Sequence, residues 1–228
     1  MRKTAAQNIP ELQESPRLRK SPRPLARSFY ARDPRLVAPE LLGKILVRRD
    51  GKSFRAGRIV EVEAYLGADD AAAHAAAGQT ERNRVLFGPP GHAYVYFTYG
   101  MHYCLNVSCM PEGDAGCVLI RALEPLVGVE HMLTARNHTS RTRKQPLALR
   151  FIASGPGRLC EAMSITRPRD NGKDLTDQHS DLWIGNDGYP PLSIIRTPRI
   201  GITKSAEMPL RYFVAGNEFV SGRRSTVF

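Results

Sequence analysis

AYVYFTYGMHYCLNVSC, residues 93–109, decides how this chain folds. Tyr94 to Thr98 alternate, the pattern breaks at Tyr99-Gly100-Met101-His102, and alternation resumes from Tyr103 to Ser108. Two strands joined by a tight turn have this pattern, so the stretch is predicted to be a β-hairpin. Gly100 can take the positive φ such a turn often needs, which leaves Tyr99 and Met101 at a tip facing water. An exposed apolar tip fits a stacked, negatively charged partner, because minor-groove proteins insert apolar side chains between base steps. The alternative is that Tyr99 folds back onto its own sheet, since scattered surface aromatics are ordinary.

Working outward, GRIVEVEAYL at residues 57–66 alternates with period two. Val60, Val62, Ala64 and Leu66 fall on one face, and Glu61, Glu63 and Tyr65 on the other. The first face must pack inward. The second is either the floor of a pocket or a solvated sheet face, the commoner case. Before this strand, Asp33 can cap a helix with Pro34 in its first position, running to Leu42 and ending at Gly43. Residues 44–48 are predicted to be a strand turning at Asp50-Gly51. After it, Asp69 and Asp70 can cap a short Ala-rich helix containing His74, followed by a polar, basic loop over residues 79–84.

Beyond the hairpin, residues 117–123 make an apolar strand interrupted by Arg121. An unpaired charge there would be costly, so Arg121 must face a carboxylate, a phosphate or a site. Helical spacing follows from Leu126 to about Ala135. A basic connector then spans residues 137–144. Ser154-Gly155-Pro156-Gly157-Arg158 leads into a helix from Leu159 to Ser164, whose start is either a phosphate cradle or a routine cap. Residues 181–184, 193–195, 199–202 and 210–214 supply short strands. The expected fold is a mixed α/β (α+β) single domain with a curved, mainly antiparallel sheet, flanking helices and a protruding β-hairpin.

The 228 residues are 42% hydrophobic, enough for a real core, and 33 Lys and Arg against 22 Asp and Glu give a net charge of +11. This balance suits a polyanion partner, although basic surfaces that bind nothing are common. Residues 1–27 are expected to be a flexible basic arm and residues 28–228 the folded domain. No apolar run approaches the roughly 20 residues of a membrane span, and no signal-peptide core is evident, so a soluble intracellular protein is expected. Cys104, Cys109, Cys117 and Cys160 have neither zinc-site spacing nor a disulfide framework, and are expected to be reduced thiols.

The segments Arg58 to Gly67, His74, Thr80 to Arg84, Tyr94-Val95-Tyr96 with Tyr99-Gly100-Met101, Asn106, and Val118 to Pro125 together resemble the alkyladenine (3-methyladenine) DNA glycosylase family. The likeness continues through Ser154-Gly155-Pro156, Arg199 to Ile202 and Pro209 to Phe213, in that family's order and close to its spacing. It implies a hairpin that probes the DNA minor groove. It also implies hydrolysis of the N-glycosidic bond of alkylated or deaminated purines such as 3-methyladenine or hypoxanthine, in damaged double-stranded DNA, by a monomer with no metal or redox cofactor. Glycosylases flip their target base, reading it by stacking.

Residue by residue, the resemblance implies that Glu63 and Arg121 are catalytic, Glu63 as the base that activates water and Arg121 near the sugar-phosphate. Glu61 is a supporting neighbour. Tyr65, His74 and Tyr96 would enclose the flipped base, and Asn106 would crowd the amino group of normal guanine. Tyr99 would fill the gap in the duplex, Met101 would wedge the next step, and Arg158 and Arg167 would meet phosphates. His102 departs from the aromatic residue frequent at that position. No lysine stands where a Schiff-base nucleophile is expected, so the enzyme should leave an abasic site without cutting the strand. Two rivals remain: a non-catalytic nucleic-acid-binding module on the same scaffold, and a carbohydrate hydrolase using Glu61 and Glu63 as an acid pair about 7 Å apart.

Overall fold

The computed structural model describes residues 18–138, 147–190 and 193–222. Its elements in order are β1 (Arg23–Pro24), α1 (Arg27–Tyr30), α2 (Pro34–Leu41), β2 (Ile45–Asp50), β3 (Ser53–Tyr65), β4 (Ala93–Thr98), β5 (His102–Cys109), β6 (Gly116–Val127), α3 (Val129–His138), α4 (Pro156–Ala162), α5 (Arg167–Asp170), β7 (Leu182–Asn186), β8 (Ile194–Thr197) and β9 (Arg211–Val214). Among the described residues one nine-stranded sheet forms, in the order β1-β7-β2-β3-β6-β5-β4, with β9 joining β3 and β8 joining β9. Every pairing is antiparallel. The mixed α/β fold with a curved antiparallel sheet is therefore the one observed. No helix among the described residues is long and apolar enough to cross a membrane.

The long strands β3 and β6 form the spine. Val60, Val62 and Ala64 point with Val118, Ile120 and Ala122 into a core completed by Leu41 from α2 and Leu159 from α4. Each such large aliphatic side chain stabilises the fold by about 1.5–3 kcal/mol on burial. The helix α2 forms where its cap requires: the Asp33 carboxylate accepts from Arg35 N at 2.7 Å, and Pro34 opens the helix. Gly51, at φ +57°, turns β2 into β3.

The opposite face of β3 is the main correction to expectation. Glu61 and Glu63 are fully buried, not solvated. The cause lies in the β3–β6 register, which shifts between Ile59 and Glu61 and again between Glu61 and Val62. Bulges re-aim side chains. Here Val60 is unpaired on one strand and Arg121 on the other, so Arg121 is brought against both acids. The segment at residues 199–221 then covers them.

Other boundaries shift for local reasons. The Ala-rich segment at residues 71–77 forms successive turns instead of a helix, because Asn83 Nδ2 donates to His74 O and Gly78 O. A helix would need His74 O for the Gly78 amide. Leu126 and Val127 continue β6, so α3 starts three residues later than expected, after Gly128 at φ +70°. Pro156 opens α4 three residues before the expected start. Residues 199–202 are not a strand, since the Ile200 amide donates to a side chain instead of a sheet neighbour.

At the end of the stretch expected to be a basic arm, Arg23–Pro24 pairs with β7, and Trp183 Nε1 donates to Pro22 O at 3.0 Å. The rest of that arm, residues 1–17, and most of the basic connector, including Arg141, Arg143 and Lys144, lie outside the described residues.

Strands β4 and β5 pair from Ala93↔Val107 to Thr98↔His102 across residues 99–101. Gly100 has φ +65°, and Tyr99 itself has φ +52°, where a bulky residue is an outlier. Tyr99 is 79% exposed and Met101 70%, so Tyr99 does not fold back onto the sheet.

Candidate active site

Glu63 is held by three donors. Its Oε1 accepts from Ile200 N at 2.8 Å; its Oε2 accepts from Tyr65 Oη at 3.0 Å and lies 3.1 Å from Arg121 Nη1. Two residues earlier on the same face, Glu61 accepts from Arg121 Nε at 2.9 Å, Arg211 Nε at 2.7 Å and Ser221 N at 2.6 Å. Two carboxylates and two guanidiniums thus balance in one buried cluster, which a lone buried charge could not do. Burial opposes the charge on Arg121, but Glu63 and Glu61 outweigh it and hold its pKa above the ordinary guanidinium value. Glu61 has both oxygens committed to Arg121, Arg211 and the Ser221 amide, and it lines neither of the two cavities described next.

Two adjoining cavities open in front of this cluster. The smaller, about 190 Å³, is lined by Tyr65, His74, Tyr94, Tyr96, Asn106 and Cys117, with Tyr99 at its edge. The larger cleft, about 650 Å³, is lined by Tyr65, Tyr96, Tyr99, Arg121, Arg158 and Ser221, among others. Tyr65, Tyr96, Thr98, Tyr99, Gly201 and Ile202 border both. Glu63 itself lines neither, but its three partners Tyr65, Arg121 and Ile200 all face the larger cleft. The carboxylate therefore lies directly behind the cleft wall.

The smaller cavity is an aromatic box. The His74 ring stands 4.5 Å from that of Tyr96, tilted by 67°, and its Nδ1 is 2.9 Å from Tyr94 Oη. Partial burial of the ring, and then the charge of Arg82, hold His74 below its ordinary pKa, so it is neutral at pH 7. Burial pushes the Tyr94 hydroxyl up to about 12 and those of Tyr65 and Tyr96 higher still, so all three stay protonated. Asn106 is fixed at both ends: Nδ2 donates to Tyr94 O at 3.1 Å, and Cys117 Sγ donates to its Oδ1 at 3.7 Å.

The structure thus gathers Tyr65, His74, Tyr96, Asn106 and Tyr99 around one cavity and Arg121 and Arg158 along the next. Arg158 is exposed and donates to Ser154 O. Met101 and Arg167 border neither cavity; Met101 stands beside Tyr99, and Arg167 is exposed at the start of α5. His102 packs over α4, with its Nδ1 3.2 Å from Glu161 Oε1. Sequence reasoning assigned no role to Tyr94, Cys117, Ile200 or Ser221. Tyr94 was accessible to it, because period two in β4 places Tyr94 on the face of Tyr96. No local pattern marks Ile200 or Ser221, which act through backbone amides.

The sequence model of a family described as "Methylpurine-DNA glycosylase (MPG)" matches residues 28–218. A relative from Koribacter versatilis (strain Ellin345) is 63% identical over 201 residues, covering 88% of this chain and 94% of its own length. One from Burkholderia lata is 51% identical over 199 residues, covering 87% and 91%. One from Methanoculleus marisnigri is 48% identical over 203 residues, covering 87% and 99%. All three are provisionally named as 3-methyladenine DNA glycosylases.

Proposed function

The chain belongs to the methylpurine-DNA glycosylase family and is an N-glycosyl hydrolase of DNA repair; from that we propose that it acts on double-stranded DNA, excising alkylated or deaminated purines such as 3-methyladenine and hypoxanthine after flipping them out of the helix. The observation that carries this reading is the position of Glu63, fixed by Tyr65, Arg121 and Ile200 behind the wall of a cleft that adjoins an aromatic box. The flipped base stacks on Tyr65 within the box, among His74 and Tyr96, with Asn106 at its edge. Its sugar then lies in the larger cleft, beside Arg121.

Glu63 is the general base. A water reaching it between Tyr65, Arg121 and Ile200 gives up a proton to the carboxylate while its oxygen bonds to C1′. The electron pair of the broken glycosidic bond leaves with the base, and the negative charge of Glu63 steadies the positive charge developing on the sugar. This route requires the cleft wall to part slightly when substrate enters, because Glu63 has no exposed surface in the free protein. Arg121 is a substrate contact at the sugar-phosphate and the counter-ion of Glu63. Arg158 and Arg167 add phosphate attraction. Among the described residues no lysine lines either cavity, which supports base release without strand cutting.

Duplexes carrying a single methylated adenine or hypoxanthine should lose that base on incubation with the protein and stay uncut until alkali is added. Release of neither base would reject the reading. The strained, exposed Tyr99 is assigned to the gap left by the flipped nucleotide. Tyr99→Ser should weaken binding to lesion duplex by about tenfold to a hundredfold, the worth of one stacked base, and binding to undamaged duplex far less. Equal losses in a titration of both duplexes would count against insertion.

A further inference from the structure

Behind the face of Tyr65 lies a fully buried ion pair. The guanidinium of Arg199 sits 4.5 Å from the centre of the Tyr65 ring, and it grips Asp70 with both nitrogens, at 2.5 and 2.8 Å. Both side chains have no exposed surface. Arg199 also donates to Ala64 O at 3.0 Å, the carbonyl just before Tyr65. Neither Asp70 nor Arg199 lines the base cavity, whereas Tyr65 does, so the cation lies on the protected side of the ring. A cation over an aromatic face draws on the same ring electrons that would hold a second cation on the opposite face.

The remaining walls of the cavity are uncharged. Tyr94, Tyr96 and Tyr65 keep their protons and His74 is neutral. Arg82, near His74 and Tyr94, is exposed and screened by water. Among the described residues Arg199 is thus the one cation placed over the stacking ring, and Asp70 is what neutralises it.

We propose that Asp70 is a specificity-determining residue: by neutralising Arg199 behind Tyr65 it allows the ring to stack a purine that carries a positive charge, as an N7- or N3-alkylated purine nucleotide does, alongside neutral purines. This rests on the excision reading above. Asp70 acts through Arg199 and Tyr65 and touches no substrate, which makes it a positioning residue whose effect depends on substrate charge.

The test compares one cationic and one neutral lesion, 7-methylguanine and hypoxanthine, in the same duplex sequence. Single-turnover release is measured for the native protein, Asp70→Asn and Arg199→Met. The ratio of the two rates within each variant cancels any loss of folded enzyme and the shared chemistry at the sugar. Asp70→Asn should lower the ratio of 7-methylguanine to hypoxanthine release by about fivefold, and Arg199→Met should raise it. If Asp70→Asn does not fold, the rise in Arg199→Met alone decides. Where the native protein releases only one of the two bases, the same ratio is taken from binding of both duplexes in a Glu63→Gln background. A ratio unchanged in every variant that folds would overturn the proposal and leave the pair a structural brace. Release of neither base by the native protein, with no preference for either lesion duplex, would instead sink the excision reading.

Discussion

Glu63→Gln should slow base release by about 10²–10⁴-fold while the protein still folds and still binds lesion duplex. Glutamine matches glutamate in size, and its oxygen can accept from the Ile200 amide as Oε1 does now. Its amide nitrogen then faces the Tyr65 hydroxyl, which can rotate to accept, and Arg121, which cannot. Arg121 keeps its bond to Glu61, but the cluster is left with one carboxylate against two guanidiniums, so the variant should be less stable than the native protein while still folded. The lost function is the capacity to take a proton and to oppose positive charge on the sugar. Single-turnover release of free base, set beside a binding titration, separates the two effects. If native and variant proteins release base at equal rates, Glu63 is not the general base.

Arg121→Leu should destabilise the fold by about 3–5 kcal/mol, the cost of leaving a buried charge without its partner. Arg121 serves both acids, but they do not depend on it equally. Glu61 retains Arg211 Nε and the Ser221 amide, whereas Glu63 retains only the neutral Tyr65 hydroxyl and the Ile200 amide. Glu63 is therefore the carboxylate left uncompensated. In the Arg121→Leu background, adding Glu63→Gln should recover part of the lost stability, and adding Glu61→Gln should recover less. Urea unfolding of the single and double variants forms the cycle that isolates this coupling. Strict additivity at Glu63 would mean that the 3.1 Å contact carries no energy.

The effects separate what a residue type announces from what its surroundings make of it. Arg121 within an apolar run signalled an obligatory partner, and the partner proved to be a pair of carboxylates. The alternation in β3 put Glu61, Glu63 and Tyr65 on one face, as observed. It carried no information on whether that face meets water, and the ordinary expectation of a solvated face failed. His74 shows the opposite limit. An alanine-rich run favours helix locally, but one asparagine nine residues away takes the carbonyl the helix would need.

The sequence by itself determined the strand periods, the turn at Gly100 with apolar residues on either side, the capped helix at Asp33, and family membership through motifs spread along the chain. Only the tertiary structure decided that Glu63 is buried, what holds it, and that a cation backs Tyr65. The reason is distance along the chain. Arg121 lies 60 residues from Glu61, Ile200 lies 137 from Glu63, and Ser221 lies 160 from Glu61. Those contacts exist because two offset bulges and a returning C-terminal segment bring the residues together. Neither arises from a local preference that a residue and its immediate neighbours could express.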